Sequence, residues 1–342
     1  MRAVEIAAHG GPEVLRFVER PVPEPKAGEV RIALRAAGMN HLDCWVRRGV
    51  EGHRFPLPIV PGCDGAGVVD ALGAEATGVA VGDRVAIAPG FSCGHCRHCA
   101  AGEQQLCRHY GIFGETCDGT DADFICVPVA NLLPMPAGMD FVAAAAAPLV
   151  FLTAWHMVVA RCGVKAGDDV LVHAAGSGVS MAAIQIARML GARVITTAGS
   201  DDKVARGLEL GAEVGINYKT QDFLAEIRGL TGKRGVDVVV DHVGGENIGR
   251  SIRALAKGGR VVTCGATAGP ELQADLRLIF FKNLAILGST MGGLGEMHEV
   301  WGHVCAGRLK PVVGAVLPLA EVARGHELLE NRAVFGKVVL ET

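Results

Sequence analysis

The chain is poor in aromatic residues, with 11 Phe, 3 Trp and only 2 Tyr among 342 residues. Its formal charge is −3, from 33 basic and 36 acidic residues that gather into no run of one sign. A basic patch interleaved with aromatics is the footprint of a nucleic-acid or anionic membrane surface, so neither partner is expected and a small-molecule ligand is. Met1 to Gly11 lacks the basic stretch and apolar run of a secretory signal, which predicts a cytoplasmic protein. The longest apolar stretch, 141–160, is interrupted by Pro148 and carries Thr153 and His156. It therefore predicts two short buried helices and no membrane span. Internal repeats and low-complexity linkers are also missing.

Glycine, by contrast, is abundant at 47 residues, and half the chain is apolar. Many tight turns between buried elements are the mark of an α/β protein, and this length suits two domains. Up to about Val129 short runs such as Val30-Arg-Ile-Ala-Leu34 and Asp83-Arg-Val-Ala-Ile87 alternate with Gly and Pro. They predict a β-rich, barrel-like domain. Further on, Asp169 to His173, Ala192 to Thr197, Val236 to Asp241 and Arg260 to Cys264 are apolar strands separated by helical segments, with Leu284 to Gly288 closing the series. That rhythm predicts a doubly wound parallel sheet covered on both faces. From about 291 to the end, including Gly336 to Leu340, the chain again resembles first-domain material.

Eleven cysteines without a secretory signal read as thiols or metal ligands before disulfides. Cys93, Cys96 and Cys99 fall at three-residue steps and Cys107 follows eight residues later. Four thiolates on short glycine-containing loops suit one tetrahedral structural Zn²⁺, which folds the lobe 92–108 and performs no chemistry. The spacing departs from the ferredoxin patterns of iron–sulfur proteins. His95 and His98 read as solvated loop residues. Cys44, Cys117, Cys126, Cys162 and Cys305 read as small buried hydrophobes.

The segment Val170-Leu-Val-His-Ala-Ala-Gly-Ser-Gly-Val-Ser180, followed by Met181 to Leu190, is a strand, a tight turn and a helix. Backbone amides along Gly176, Ser177, Gly178 and Val179 would hold a pyrophosphate at the helix N-terminus. After the next strand, Ala198 stands where NAD-binding sheets carry an acidic residue, while Ser200 and Lys203 suit a 2′-phosphate. This predicts NADPH over NADH, a preference that Asp201 and Asp202 would weaken.

With these features in this order, the chain resembles the medium-chain dehydrogenase/reductase superfamily, which holds zinc alcohol dehydrogenases and quinone oxidoreductases. Gly11-Pro-Glu-Val14, Pro61-Gly-Cys-Asp-Gly-Ala-Gly-Val68, the cysteine lobe, Leu152-Thr-Ala-Trp155, the nucleotide turn and the closing strand carry the likeness. It implies a GroES-like β-barrel catalytic domain over 1–150 and 291–342, a Rossmann domain over 151–290, and a homodimer or homotetramer. The catalytic zinc ligands of that superfamily are replaced here. Ala37-Gly-Met-Asn40-His-Leu-Asp43 has asparagine for the first ligand, Gly62-Cys63-Asp64-Gly65 alters the second, and the third falls near Leu149. A catalytic zinc needs about three protein ligands, and Cys63 with Asp64 supplies two.

Asn40 with Asp43 is similar to the quinone oxidoreductase and enoyl reductase branch. The resemblance makes Asn40, Asp43 and Thr153 catalytic candidates, with Thr153 and the turn Cys264, Gly265, Ala266, Thr267 lining the nicotinamide. It places Asp241, His242 and Val243 at a strand end over the cofactor and joins Tyr218 to Ser200 and Lys203. Lys337 and His41 are implied at the pyrophosphate, Lys337 also beside Asp43. Structural roles for Tyr218, Thr153 and an Asp43–Lys337 ion pair stay open beside the functional ones. The expected enzyme reduces an activated carbon–carbon double bond, an enoyl thioester or enone, or a quinone, with NADPH and no catalytic metal. Two alternatives stand beside it: an alcohol dehydrogenase with a rebuilt zinc site, and a non-catalytic NADPH-binding sensor or scaffold.

Overall fold

The computed structural model describes residues 1–342 and divides them into two units, Met1–Val150 with Gly293–Thr342, and Phe151–Gly292. In the first unit β1 (Arg2–Ile6) pairs antiparallel with β2 (Leu15–Glu19). The ten-residue β3 (Glu29–Gly38) leads into helix α1 (His41–Arg48). There follow β4 (Asp64–Leu72), β5 (Arg84–Ile87), β6 (Gly90–Phe91), α2 (Arg97–Ala100), β7 (Gly111–Ile112), β8 (Phe124–Pro128), β9 (Leu132–Pro134) and α3 (Phe141–Ala145), and α4 (Pro148–Trp155) carries the chain into the second unit at Phe151.

Strand β3 shows why this is a sheet. Val30, Ile32 and Leu34 are buried, whereas Arg31 and Arg35 lie on the other face, the period of two that a one-sided strand requires. The inward set packs with Val69, Val85, Ile87, Ile125 and Val127 into one core. At the end of β3 the carbonyl of Ala145 comes so close that a Cβ on Gly38 would lie 2.1 Å from it. Glycine therefore lets α3 sit on the strand end that leads into Asn40. The apolar stretch 141–160 breaks at Pro148, which opens α4, a position where its missing N–H costs nothing. Beyond α4 it continues as a π-helical turn, His156–Arg161. No helix is long and apolar enough to cross a membrane.

The second unit alternates β10 (Asp169–Val172), α5 (Gly178–Met189), β11 (Arg193–Ala198), α6 (Asp201–Glu209), β12 (Val214–Asn217), α7 (Phe223–Leu230), β13 (Val236–Val240), α8 (Glu246–Ala254), β14 (Leu255–Thr263), α9 (Leu276–Lys282) and β15 (Ala285–Gly288). All six strands are parallel, in the order β12, β11, β10, β13, β14, β15. The order reverses beside β10, and such switch points open a crevice at the carboxyl ends of the strands. Strand β14 begins five residues before Arg260, because a register shift against β13 absorbs Lys257 to Gly259 as an irregularity.

The chain then returns to the first unit with α10 (Leu294–Cys305), β16 (Val313–Pro318), α11 (Val322–Glu330) and β17 (Lys337–Glu341). Strand β17 pairs parallel with β16 and antiparallel with β3, in register Val339 to Gly38. This pairing carries Lys337 to the end of β3, 297 residues from Asn40 in sequence.

Candidate active site and zinc lobe

Asn40 stands at the N-terminus of α1, and Asp43 in the first turn makes half of a capping box by accepting the Asn40 backbone N–H at 2.7 Å. The Asn40 side chain turns the other way. Its Oδ1 accepts from the Lys337 ammonium at 2.5 Å, a group that can only donate and so fixes the amide orientation. Its Nδ2 faces Gly38 O at 3.1 Å, Cys63 Sγ at 3.2 Å and Asp64 Oδ2 at 2.9 Å. Two N–H bonds cannot serve more than these three acceptors, so the Asn40 amide has no hydrogen free for a substrate carbonyl. Lys337 also donates to Asp64 Oδ2 at 3.0 Å, and the Leu149 backbone N–H donates to Asp64 Oδ1 at 2.8 Å. The lysine thus pairs with Asp64. All five side chains are enclosed: Asn40 is 6% exposed, Lys337 2%, Asp43 1%, and Cys63 and Asp64 0%.

The cysteine lobe forms a separate cluster. The sulfurs of Cys93, Cys96, Cys99 and Cys107 all lie within 4.8 Å of one another. Three separations are given by Cys93–Cys99 at 3.9 Å, Cys96–Cys99 at 3.6 Å and Cys93–Cys107 at 3.5 Å. Bonds of about 2.3 Å in a tetrahedron place sulfurs about 3.8 Å apart, so the four side chains fit one Zn²⁺ with no open position. His95 and His98 bond to the Cys93 carbonyl and to Glu103, which accounts for both without the metal.

In the second unit the turn between β10 and α5 is held from beneath. Ser180 Oγ donates to the His173 carbonyl at 2.6 Å and meets His242 Nε2 at 2.8 Å. Asp241 accepts from the amides of Val243 and Gly244, from Asn247 and from Ser251. Because Ser251 donates to Asp241, the His173 Nε2–H donates to Ser251, and Nδ1 accepts from Thr197. Burial lowers the pKa of His173, in keeping with this neutral tautomer. Gly176, Ser177, Gly178 and Val179, partly exposed, form the turn above, with Ser177 as the α5 cap.

At the end of β11, Ser200 caps α6 by accepting the Lys203 amide at 3.4 Å. Tyr218, 46% exposed, donates its N–H to Ala198 O, and its ring lies so near Gly199 that a Cβ there would be 2.6 Å from the hydroxyl. Ser200, Lys203 and Tyr218 therefore surround one turn. Asp201 is drawn off by Asn217 Nδ2 at 2.6 Å, whereas Asp202 is exposed. Thr153 is buried with its hydroxyl 3.9 Å from Met291 Sδ, and Cys264, Gly265 and Ala266 form a partly exposed turn after β14. His41 is exposed at the start of α1.

Residues 26–137 match the Alcohol dehydrogenase GroES-like domain and residues 178–305 the Zinc-binding dehydrogenase family. Human quinone oxidoreductase is 30% identical over 99% of this chain and 97% of its own length. The NAD-dependent alcohol dehydrogenase of Saccharolobus solfataricus is 32% identical, over 99% of each. A crystal structure of an NAD-dependent alcohol dehydrogenase superposes with a TM-score of 0.97 at 54% identity, covering 100% of both chains. One of AibC gives 0.92 at 35%, covering 100% of this chain and 95% of that one. The chain belongs to the medium-chain dehydrogenase/reductase superfamily. It is an oxidoreductase with that superfamily's GroES-like and Rossmann-like domains.

Within this medium-chain oxidoreductase the buried cluster has an uneven charge balance. Asp43 is pushed up to about 7, chiefly by burial and also by Asp64, against the Asn40 N–H and Lys337. Asp121, 1% exposed with Oδ2 unpartnered, is raised further by burial and by Asp43. Burial, then Asp43 and Asp64, raise the Cys63 thiol, so Cys63 is a protonated, enclosed thiol and no nucleophile. A carboxyl whose folded pKa exceeds its unfolded 3.8 gives stability that is fully present below 3.8 and lost as pH rises to about 7. Asp43→Asn removes that term. Relative to the native protein, the variant is expected to gain on the order of 2–4 kcal/mol between pH 4 and pH 8. Urea unfolding at both pH values reads it; an equal difference at both would show that Asp43 is ionised throughout.

Sequence reasoning passed over Asp121, which carries no motif.

Proposed function

We propose that this reductase uses NADPH to reduce a carbonyl-conjugated double bond, as in an enoyl thioester or enone, or a quinone, without a catalytic metal. The observation that carries the reading is the Lys337 ammonium standing between Asn40 and Asp64. A cation already pairs with the carboxylate that an alcohol dehydrogenase would need for zinc, and Asn40 Nδ2 turns N–H toward Cys63 and Asp64. These donors do not fit a metal. Oxidising an alcohol needs its pKa lowered, which zinc supplies; reducing an electron-poor double bond needs alignment and stabilisation of the enolate.

When bound, the nicotinamide supplies hydride. The chain's part is to hold the pyrophosphate on the amides of Gly176 to Val179 and a 2′-phosphate by Ser200, Lys203 and Tyr218. Asp201, beside Ser200, is held by a hydrogen bond from Asn217 Nδ2. Two similar proteins are named NAD-dependent, so the choice needs its own measurement. Lys203→Ala is expected to raise KM for NADPH about tenfold, about 1.4 kcal/mol, and leave that for NADH nearly unchanged. Equal effects on both would remove the phosphate from the reading.

Anaerobic stopped-flow of NADPH oxidation with crotonyl-CoA, simple enones and quinones tests the activity; no turnover with any of them sinks it. A homo-oligomer belongs to the same reading. Leu276, Phe280 and Phe281 on α9 are 73%, 60% and 71% exposed beside the edge strand β15, an apolar surface suited to a second copy. Sedimentation velocity reads its assembly.

A further inference from the structure

Ala174 opens the turn that carries Gly176 to Val179, and its φ is +57°, in the left-handed region that a residue with a Cβ seldom enters. No glycine stands there to relieve it. Backbone strain of this kind persists only where the surroundings hold it, and it collects at functional loops. The groups that hold Ala174 form one hydrogen-bonded line across the ends of β11, β10 and β13. The Ala174 N–H donates to Thr197 Oγ1 at 3.3 Å, and the next amide, that of Ala175, donates to the Thr197 carbonyl at 2.9 Å. Thr197 Oγ1 donates its own hydrogen to His173 Nδ1 at 3.0 Å, which leaves its lone pairs for Ala174.

On the far side of the ring His173 Nε2 meets Ser251 Oγ at 3.0 Å, and Ser251 donates to Asp241 Oδ2 at 2.7 Å. The other oxygen of Asp241 accepts the amides of Val243 and Gly244 at 2.8 and 3.1 Å. The Phe223 ring stands edge-on to the imidazole, 5.0 Å away, and fixes its plane. Thr197, His173, Ser251 and Asp241 are each at most 2% exposed, so water does not compete for these bonds. The two loops that the line joins, after β10 and after β13, stand on either side of the point where the strand order reverses.

We infer that Thr197 and His173 are positioning residues for the dinucleotide: the Thr197 hydroxyl, aimed by His173, pins Ala174 in its left-handed conformation and so sets the amides of Gly176 to Val179 for a pyrophosphate. The inference rests on the cofactor reading above, in which those amides hold that group. Neither side chain has to touch the cofactor. Without the pin Ala174 relaxes toward an ordinary backbone conformation, and each incoming dinucleotide must reorder the turn, which lowers affinity.

The test is Thr197→Val, close in shape but lacking the hydroxyl, in the full zinc-loaded chain, with Kd for NADPH and for NADH read by nicotinamide fluorescence. Expected is a Kd about tenfold higher, the worth of about one hydrogen bond, and by the same factor for both dinucleotides because both carry the pyrophosphate. Thr197→Ser keeps the hydroxyl and should restore the native Kd. His173→Phe fills the ring's space but cannot accept the Thr197 hydrogen, so it should weaken both dinucleotides alike. A purely structural role would lower the melting temperature and leave both Kd values native. Native Kd values in Thr197→Val overturn the inference, as does a Thr197→Ser variant as weak as Thr197→Val. A loss confined to NADPH overturns it too: Thr197 lies three residues before Ser200, and the effect would then belong to the 2′-phosphate. If Thr197→Val does not fold, His173→Phe decides, with native Kd values there overturning the inference. Failure of the native protein to bind either dinucleotide is a different result and removes the cofactor reading itself.

Discussion

Replacing Cys107 with serine, or stripping the lobe with a chelator, is expected to unfold residues 92–108 and abolish turnover together. The lobe has almost no apolar interior: Cys99 and Cys107 are its buried side chains, and Leu106 is 56% exposed. No core cluster of the first unit takes a residue from it; Phe91 and Phe113, which pack on the nearest core, flank it on either side. Burial therefore contributes little there, and the metal must offset the entropy of ordering the loop. Structural zinc sites in small peptides contribute on the order of 10 kcal/mol. Part of that is lost to residual structure in the unfolded lobe, so a melting temperature lower by about 10 °C or more is expected. The loss should reach activity because the chain runs from the lobe through β7 to Gly114, which packs so closely on Gly62, next to Cys63, that a Cβ there would lie 2.4 Å from the Gly62 carbonyl. Metal analysis should return one zinc per chain. Hydrogen exchange across 92–116 with and without chelator, beside kcat, is the measurement; an apo-protein with native exchange and native kcat would contradict the account.

Lys337→Met is expected to cost about 3–5 kcal/mol, the usual loss when one partner of a buried ion pair is removed. Lys337 is 2% exposed and Asp64 0%, so water cannot replace the lost charge. Asp64 would keep the Leu149 N–H and one Asn40 hydrogen, and Asn40 Oδ1 would lose its donor. Pairing the change with Asp64→Asn should recover much of the loss, since the isolated carboxylate is then gone. Chemical denaturation of the two single variants and the double variant closes the cycle. If Lys337→Met were as stable as the native protein but raised KM for NADPH, Lys337 would belong to the pyrophosphate, as the family resemblance implies, and the pair with Asp64 would carry little energy.

Much of the fold was legible because it rests on local periodicity. Val30, Ile32 and Leu34 alternate with Arg31, Ala33 and Arg35, and five apolar runs separated by helical segments became strands of a parallel sheet. The cysteine lobe was equally legible, since its ligands converge through short loops. Strand β12 and the early start of β14 were not, because Val214-Gly-Ile-Asn217 has only two apolar residues beside a glycine and an asparagine, and β14 is interrupted by the irregular Lys257 to Gly259. The active-site candidates were named in sequence, yet their partners were not. Asn40 stands alone as a catalytic candidate until β17 pairs with β3 and brings Lys337 across to it. The burial of Asp121 depends on how loops stack, for which no period or spacing exists.

The sequence by itself determined the superfamily, the two-domain plan and the four sulfurs, because each is written in residue order over short distances. Only the tertiary structure decided what Asn40 touches and which carboxylate Lys337 neutralises. Those are contacts between segments up to 297 residues apart, set by strand register and burial, and burial is what moves an ordinary aspartate such as Asp43 out of the usual carboxylate range.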